Sequence, residues 1–397
     1  MTQEIKPKDS QMIFFLPNNY KTQKTIIFDA EPFCFGPIST TLSLAKELRK
    51  KVDPQYRFVL LGTLTSLQLG QKSNLFDEVI ECNTTSTEEL SQHRSLIENC
   101  SLYISNTNPN SIKYLQDIPI KKIYIDTLFW MWDKLLADFN TVDTYYIQDF
   151  FGTKEALEKF SEKVNNPKVV PPLIPIDMPN PQPELSENKR PINLITFGGI
   201  DNIYSKTSKF CQCFMNSLVT HKDFSKHEFI VAGGGNTIEF LKNNYSGFKN
   251  LTIDVFDKFE FLSLMASADK VIAGSGITTF YEMCYYEKDV FFLPPQNYSQ
   301  ALQLRIYQDN LDQINFFNWE SNRGYPLIPE GLPEMEGIAK NSECLEFFLN
   351  STDEQDRLIQ DVFDFIYSSP SKLTQDHFSI KNSGVVNIVD DIVNDLK

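Results

Sequence analysis

Residues 270–303, KVIAGSGITTFYEMCYYEKDVFFLPPQNYSQALQ, hold more residues suited to binding chemistry than any other stretch of the chain. An apolar run, Lys270 to Ala273, enters Gly274-Ser275-Gly276, after which Thr278 and Thr279 open a helix. Such a turn offers free backbone N–H groups, hydroxyls and the positive end of a helix to an anion, a phosphate above all. Glu282 follows Thr279 by one helical turn, where a carboxylate accepts hydrogen bonds from ribose hydroxyls. A second buried strand, VFFLPP, then leads to Gln296, Asn297 and Gln300, amides beyond a strand's C-terminal end, where open α/β sheets bind ligands. Glycine and a threonine cap suit any strand-to-helix turn; only the ordered set points to a nucleoside diphosphate.

Three further groups of residues are candidates. The loop Thr196-Phe197-Gly198-Gly199-Ile200-Asp201-Asn202 follows another strand, so the N–H groups beside Gly198 and Gly199 form a second phosphate cradle, whereas Gly233 to Gly235 reads as a tight turn. In the first half, Asp29, Glu31 and Asp126 stand at strand ends, where each is either a general base or a loop carboxylate. Asp126 and Glu31 are the foremost of the three. Phe33, Phe35, Trp130 and Trp132, with Gly36 between them, are suited to stacking on a small molecule or to the core. The four histidines, His93, His221, His227 and His377, fall in polar segments and are expected at the surface, as are Lys206, Lys209 and Arg305.

The elements that must position these residues alternate between strand and helix. Lys24–Asp29, Arg57–Leu61, Glu78–Glu81, Ser101–Ser105, Lys122–Asp126 and Thr144–Gln148 read as short buried strands, and Ser39–Lys51 as a helix. Near-continuous apolar strands separated by helices predict a parallel sheet covered on both faces. Eight prolines crowd the stretch between Asn165 and Pro191 and predict a strap with no central strand or helix interior. The rhythm then restarts with Ile192–Phe197, Glu228–Ala232, Leu251–Val255 and Lys270–Ala273. The expected organisation is a first α/β domain over 1–165, a proline-rich linker over 166–191 and a second α/β domain over 192–370. The tail, 371–397, carries an amphipathic helix able to pack back on the first domain.

Composition narrows the class of partner. The chain has 397 residues, 41% hydrophobic and 22% charged, so a two-domain globular protein is expected and a disordered or collagen-like one is excluded. A formal net charge of -15 leaves no general attraction for nucleic acid or anionic lipid. Seven cysteines without CxxC spacing predict reduced thiols, and Cys211 and Cys213, one residue apart, are a poor metal pair. The opening MTQEIKPKDS lacks a signal-peptide pattern, and no run of about 18 apolar residues follows, so a cytoplasmic location is expected.

The segment from Gly274 to Gln300 resembles the donor-binding segment of the GT-B glycosyltransferases. It is similar to that of the peptidoglycan N-acetylglucosaminyltransferase, the UDP-glycosyltransferases and the cytosylglucuronate synthases. The resemblance implies two Rossmann-like domains facing across a cleft, with Ala273 to Thr279 at the diphosphate, Glu282 on the ribose, and Gln296, Asn297 and Gln300 on the donor sugar. Asp254 to Asp269 resembles the segment that reads the base, which implies Phe256 and Lys258 as its neighbours. Gly198 and Gly199 would face the phosphates from across the cleft. The first domain matches only in outline: Gly36-Pro37 stands where the family often has Gly-His, so its usual base is missing. Asp126 and Glu31 are the substitutes, with Phe33, Gly36 and Trp130 around the acceptor. No Asp-x-Asp pair occurs, so a metal-independent, inverting transfer from a UDP-sugar to a small-molecule acceptor is implied, with no further cofactor. A nucleotide-sugar hydrolase of the same fold and a non-catalytic GT-B partner subunit are the alternatives.

Overall fold

A computed structural model of the protein describes residues 24–181, 190–198, 207–312, 314–321, 324–374, 378 and 380–397. Gly199 to Asn202, Lys206, His377, the opening decapeptide and residues 182–189 of the expected linker lie outside the described residues. The first domain runs β1 (Thr25–Ala30), α1 (Gly36–Lys51), β2 (Arg57–Gly62), α2 (Leu64–Ser73), β3 (Glu78–Glu81), α3 (Thr87–Gln92), α4 (Arg94–Glu98), β4 (Leu102–Asn106), α5 (Pro109–Leu115), β5 (Lys122–Asp126), β6 (Thr144–Gln148), α6 (Thr153–Phe160) and β7 (Pro167–Val170). The second runs β8 (Ile192–Thr196), α7 (Thr207–Thr220), β9 (Glu228–Ala232), α8 (Gly235–Tyr245), β10 (Leu251–Asp254), α9 (Lys258–Ser267), β11 (Lys270–Ala273), α10 (Ile277–Tyr285), β12 (Asp289–Phe292), α11 (Tyr298–Asn310), β13 (Asn315–Phe316), α12 (Glu334–Leu349) and α13 (Thr352–Tyr367). A last helix, α14 (Gly384–Leu396), follows.

Both sheets are parallel throughout. The first has the order β3-β2-β1-β4-β5-β6-β7 and the second β10-β9-β8-β11-β12-β13. In each, the order reverses beside the first strand of the domain, and that switch point opens a crevice at the strands' C-terminal ends. Ala273 pairs with Thr196 on one side and Phe292 on the other, so the glycine turn after β11 emerges at the centre of its sheet. The strands β1, β4, β5, β6 and β8 are buried at every position, as expected of sheets covered on both faces.

Several boundaries differ from the expectation for local reasons. The helix α1 starts at Gly36 rather than Ser39, because Pro37 sits in its first turn, where the missing N–H costs nothing. Part of the expected strap is strand: β7 begins with Pro167 and pairs with β6 at the sheet edge, the position that tolerates a proline opening a strand. VFFLPP is strand only to Phe292, although the Leu293 N–H still donates to the Ala273 carbonyl at 2.7 Å.

The tail folds back on the first domain. Val385, Ile388, Val389 and Ile392 of α14 join the core formed by Leu44, Ala45 and Leu48 of α1 and by alternate residues of β1. Lys51–Asp390 at 2.6 Å, Lys168–Asp391 at 2.7 Å and Lys121–Asp395 at 2.9 Å rim that contact. Gly384 is required there, since a Cβ would collide with the Pro171 carbonyl. Among the described residues no helix is long and apolar enough to cross a membrane.

Candidate functional site

The site begins with three helix N-termini. α1, α8 and α10 each start without a side-chain cap, behind Phe35, Gly234 and Gly276 respectively. A Cβ on Gly36 would lie 3.6 Å from Thr278 Oγ1, and one on Gly234 would collide with the Phe35 ring. The three positive helix ends therefore converge on Phe35 and Gly36 from both domains, a field that favours an anion between them. Open space surrounds the Cα of Gly276, so a ligand reaches the start of α10 unobstructed. The close approach of Phe35 is what Gly234 serves, a role beyond the tight turn read from the sequence.

Glu282 sits one turn inside α10 and is fully buried. Its Oε1 pairs with the Lys258 ammonium, and its Oε2 has no hydrogen-bond partner among the described residues. Burial pushes its carboxyl up, while Lys258 pulls it back down. Phe256 is half-buried before α9, against the cluster that contains Met265 and Tyr281.

Other expected donor residues are engaged within the protein. Ser275 Oγ donates to the Gln300 carbonyl at 2.9 Å, and Gln300 Oε1 accepts from the Gln296 N–H at 2.9 Å. Gly274 leaves room for that amide, which would stand 3.6 Å from a Cβ there. Asn297 caps α11 by accepting from the Gln300 N–H, and its Nδ2 donates across the cleft to Cys34 Sγ at 3.9 Å. Gln296 Nε2 donates to the Pro294 carbonyl, leaving Gln296 Oε1 buried and without a partner among the described residues. The Gly198 N–H donates to Thr196 Oγ1 at 3.3 Å, and Gly198 adopts φ 71°. Thr278 and Thr279 are half-buried at the start of α10.

The first-domain carboxylates divide sharply. Asp126 is 1% exposed and accepts from Tyr145 Oη at 2.6 Å, the Leu128 N–H at 2.7 Å and Trp132 Nε1 at 3.1 Å. Asp29 is equally enclosed by Tyr103, Ser105 and Asn108. Burial pushes both up to about 6, against those hydrogen bonds. Their acceptor capacity is used in holding β1, β4, β5 and β6 together. Glu31 is different: it is half-buried, with no side-chain hydrogen bond or ion pair among the described residues. Burial, then Glu334, Asp29 and Asp126, push it up to about 8, a carboxyl poised to exchange a proton near neutrality.

Glu334, the first residue of α12, comes from the second domain and was not legible as a site residue; the Pro333 before it marks only a helix start. It lines a small pocket between the domains with Phe33, Met131, Asn297, Tyr298, Ser299 and Ile338. Trp130 lies nearby, tilted against Phe150 with ring centroids 5.0 Å apart, its indole N–H buried and without a hydrogen-bond partner among the described residues. Phe150 in turn packs on Phe280, Tyr281 and Tyr307, carrying the first domain's aromatics into the second domain's core.

One surface expectation fails: His227 is buried beside Phe229, Phe363 and Tyr367, with neither ring nitrogen hydrogen-bonded among the described residues. His221, half-buried like His93, stacks on Phe363 with ring centroids 3.8 Å apart. Arg305 is held by Glu320 and, at 2.7 Å, by Glu330. All seven cysteines are unpaired, five of them buried. Among the described residues no cluster of three or more His, Cys, Asp or Glu side chains is placed to hold a metal.

No family model matches the chain, and no curated protein matches it in sequence. Solved structures do match in shape. The UDP-GlcNAc 2-epimerase of Neisseria meningitidis, bound to UDP-GlcNAc, is 12% identical with a TM-score of 0.54, covering 94% of this chain and 100% of its own. Os79 of O. sativa, in complex with U2F and trichothecene, is 10% identical with a TM-score of 0.54 over the same shares. The spinosyn forosaminyltransferase SpnP is 11% identical with a TM-score of 0.51, again over 94% and 100%. The fold is GT-B. In GT-B terms the seven-stranded sheet is the first Rossmann-like domain, the six-stranded sheet the second, and the converging helix ends lie in the cleft between them.

Proposed function

We propose that the protein is a glycosyltransferase that takes a UDP-sugar into this cleft and passes the sugar to a small-molecule acceptor, inverting the anomeric centre without a metal, in the cytoplasm. The observation that carries this reading is the meeting of three uncapped helix N-termini beside a buried carboxylate with an unpartnered oxygen. The helix ends suit a diphosphate, as ground state and as leaving group. Glu282 suits the ribose, and the turns at Gly274 to Gly276 and at Gly198 let the backbone approach the phosphates. The UDP and UDP-GlcNAc named with similarly folded proteins support a uridine nucleotide.

In the transfer, an acceptor hydroxyl held near Phe33 and Trp130 forms a bond to the anomeric carbon as the bond from that carbon to the diphosphate oxygen breaks. The hydroxyl proton passes to Glu31, which is at the cleft and free, in preference to Asp126, whose oxygens are occupied. UDP departs with the bonding electrons toward the helix ends.

The UDP-GlcNAc 2-epimerases among the similarly folded proteins support a second reading, in which the nucleotide sugar is itself hydrolysed or epimerised. Calorimetric titration with UDP, GDP, TDP and CMP, without metal, tests the common part. Selective binding of UDP by the native protein, lost in Glu282→Ala, is expected; no binding by any of the four overturns the proposal. Incubation with UDP-sugars then separates transfer, free sugar and epimerised donor as products. UDP binding with none of these products points to a non-catalytic partner subunit instead.

A further inference from the structure

The pairing of Lys258 with Glu282 breaks a local rule. Lys258 is the first residue of α9, where a cation opposes the helix dipole. The start of that helix is strongly specified: Asp257 accepts from the Phe259 and Glu260 N–H groups at 2.8 and 2.9 Å, and Glu260 returns a bond to the Asp257 N–H. The capping box therefore fixes where the lysine stem leaves the backbone. On its own helix the ammonium has only the Phe261 ring, its centroid 5.9 Å away, among the described residues, and the charge spans to α10 to meet the fully buried carboxylate of Glu282. A local conflict of this kind is expected where function takes precedence over stability.

The geometry of the carboxylate supplies the second observation. One oxygen is committed to the ammonium, and the other, completely enclosed, has no partner among the described residues. A buried acceptor left open costs stability unless something donates to it. We infer that Lys258 is a positioning residue for the nucleotide: it holds one oxygen of Glu282 so that the other meets a single ribose hydroxyl as a charged acceptor. This rests on the nucleotide-sugar reading above and narrows it to ribonucleotides, with one carboxylate oxygen in place of two for the diol.

Lys258 on α9 is the charged group that acts on Glu282, while the Tyr286 phenol just past α10 is pushed up by burial first and then by Tyr285 and Glu282, and stays neutral. Without the lysine, burial alone acts on the carboxyl, and binding a hydroxyl to it requires losing a proton first. The test is calorimetry with UDP between pH 6 and 9, each variant's affinity divided by that of the native protein at the same pH so that the ligand's own titration cancels. In Lys258→Met the ratio is expected to fall as pH is lowered, by up to about tenfold per pH unit. Lys258→Gln, which keeps a donor without the charge, gives the same slope and serves if the methionine variant does not fold. Lys258→Arg restores a flat ratio, and adding Glu282→Gln to Lys258→Met abolishes the slope. Binding of UDP with a flat ratio in both neutral variants overturns the inference alone, and so does a slope that survives Glu282→Gln. No UDP binding by the native protein overturns the nucleotide-sugar reading and this inference with it.

Discussion

The turn after β1 and the turn after β11 each lie beside the switch point of their own sheet, each leaving a central strand to start an uncapped helix, yet their chemistry is opposite. The second-domain turn, Gly274 to Gly276, is built of the smallest residues and presents backbone and helix charge. The first-domain turn, Glu31 to Phe35, is bulky and acidic; it contains Cys34 at φ 57°, two phenylalanines and a carboxyl pushed up to about 8. A left-handed non-glycine residue costs energy that the surrounding packing must hold, and here Asn297 reaches across to the Cys34 sulfur. One framework thus carries a small-residue turn whose chemistry suits an anion and a bulky, acidic turn whose chemistry suits a proton, depending on the side chains between strand and helix.

The sharpest way to break that division is Glu31→Gln. If the first turn handles the proton, kcat falls by about 10²- to 10⁴-fold while UDP affinity is unchanged. Loss of UDP binding in that variant would place both tasks on one turn. Gly234→Ala attacks the contact that joins the turns, since the new methyl meets the Phe35 ring. It is expected to destabilise by about 1–3 kcal/mol in urea unfolding, with Phe35→Ala relieving the cost in the double variant. Strictly additive losses would show that the ring and the glycine do not meet.

Smaller effects follow from pH. Glu31 has a folded value of about 8 against an ordinary 4.5, so folding favours its protonated form. Its contribution to stability is complete below 4.5 and disappears as pH rises through 8. Unfolding midpoints at pH 5 and pH 9 should therefore differ less in Glu31→Gln than in the native protein. If Glu31 is the base, kcat/KM rises over the same interval as the carboxylate forms. His227 moves the other way. Burial lowers it, so its contribution is present above the ordinary histidine value of 6.5 and lost as pH falls below it. His227→Phe should flatten this acid limb, and an unchanged limb would assign it to other groups.

The features legible in the sequence share a local cause. Strands such as Lys122–Asp126 and Lys270–Ala273 stood out because burial on both faces makes them continuously apolar. The glycine turn and Glu282 were legible because a helix start and a position one turn into it are fixed by short spacing. What depended on distant residues was not. Nothing near Asp126 announces that Tyr145 and Trp132 close over it, nor near Lys258 that its partner lies 24 residues away on another helix. Glu334 reaches the cleft only because α12 starts there. Pro167 misled because an edge strand accepts at its first residue what a central strand refuses.

The return of α14 to the first domain also governs how the chain is made. Its seat on α1 is completed by Val385, Ile388, Val389 and Ile392, which leave the ribosome long after α1 itself. The half synthesised first emerges with that apolar seat uncovered, and the whole second domain must follow before the cover arrives. Biogenesis of this protein therefore contains an interval in which a nearly finished domain waits, its exposed patch a natural substrate for a chaperone.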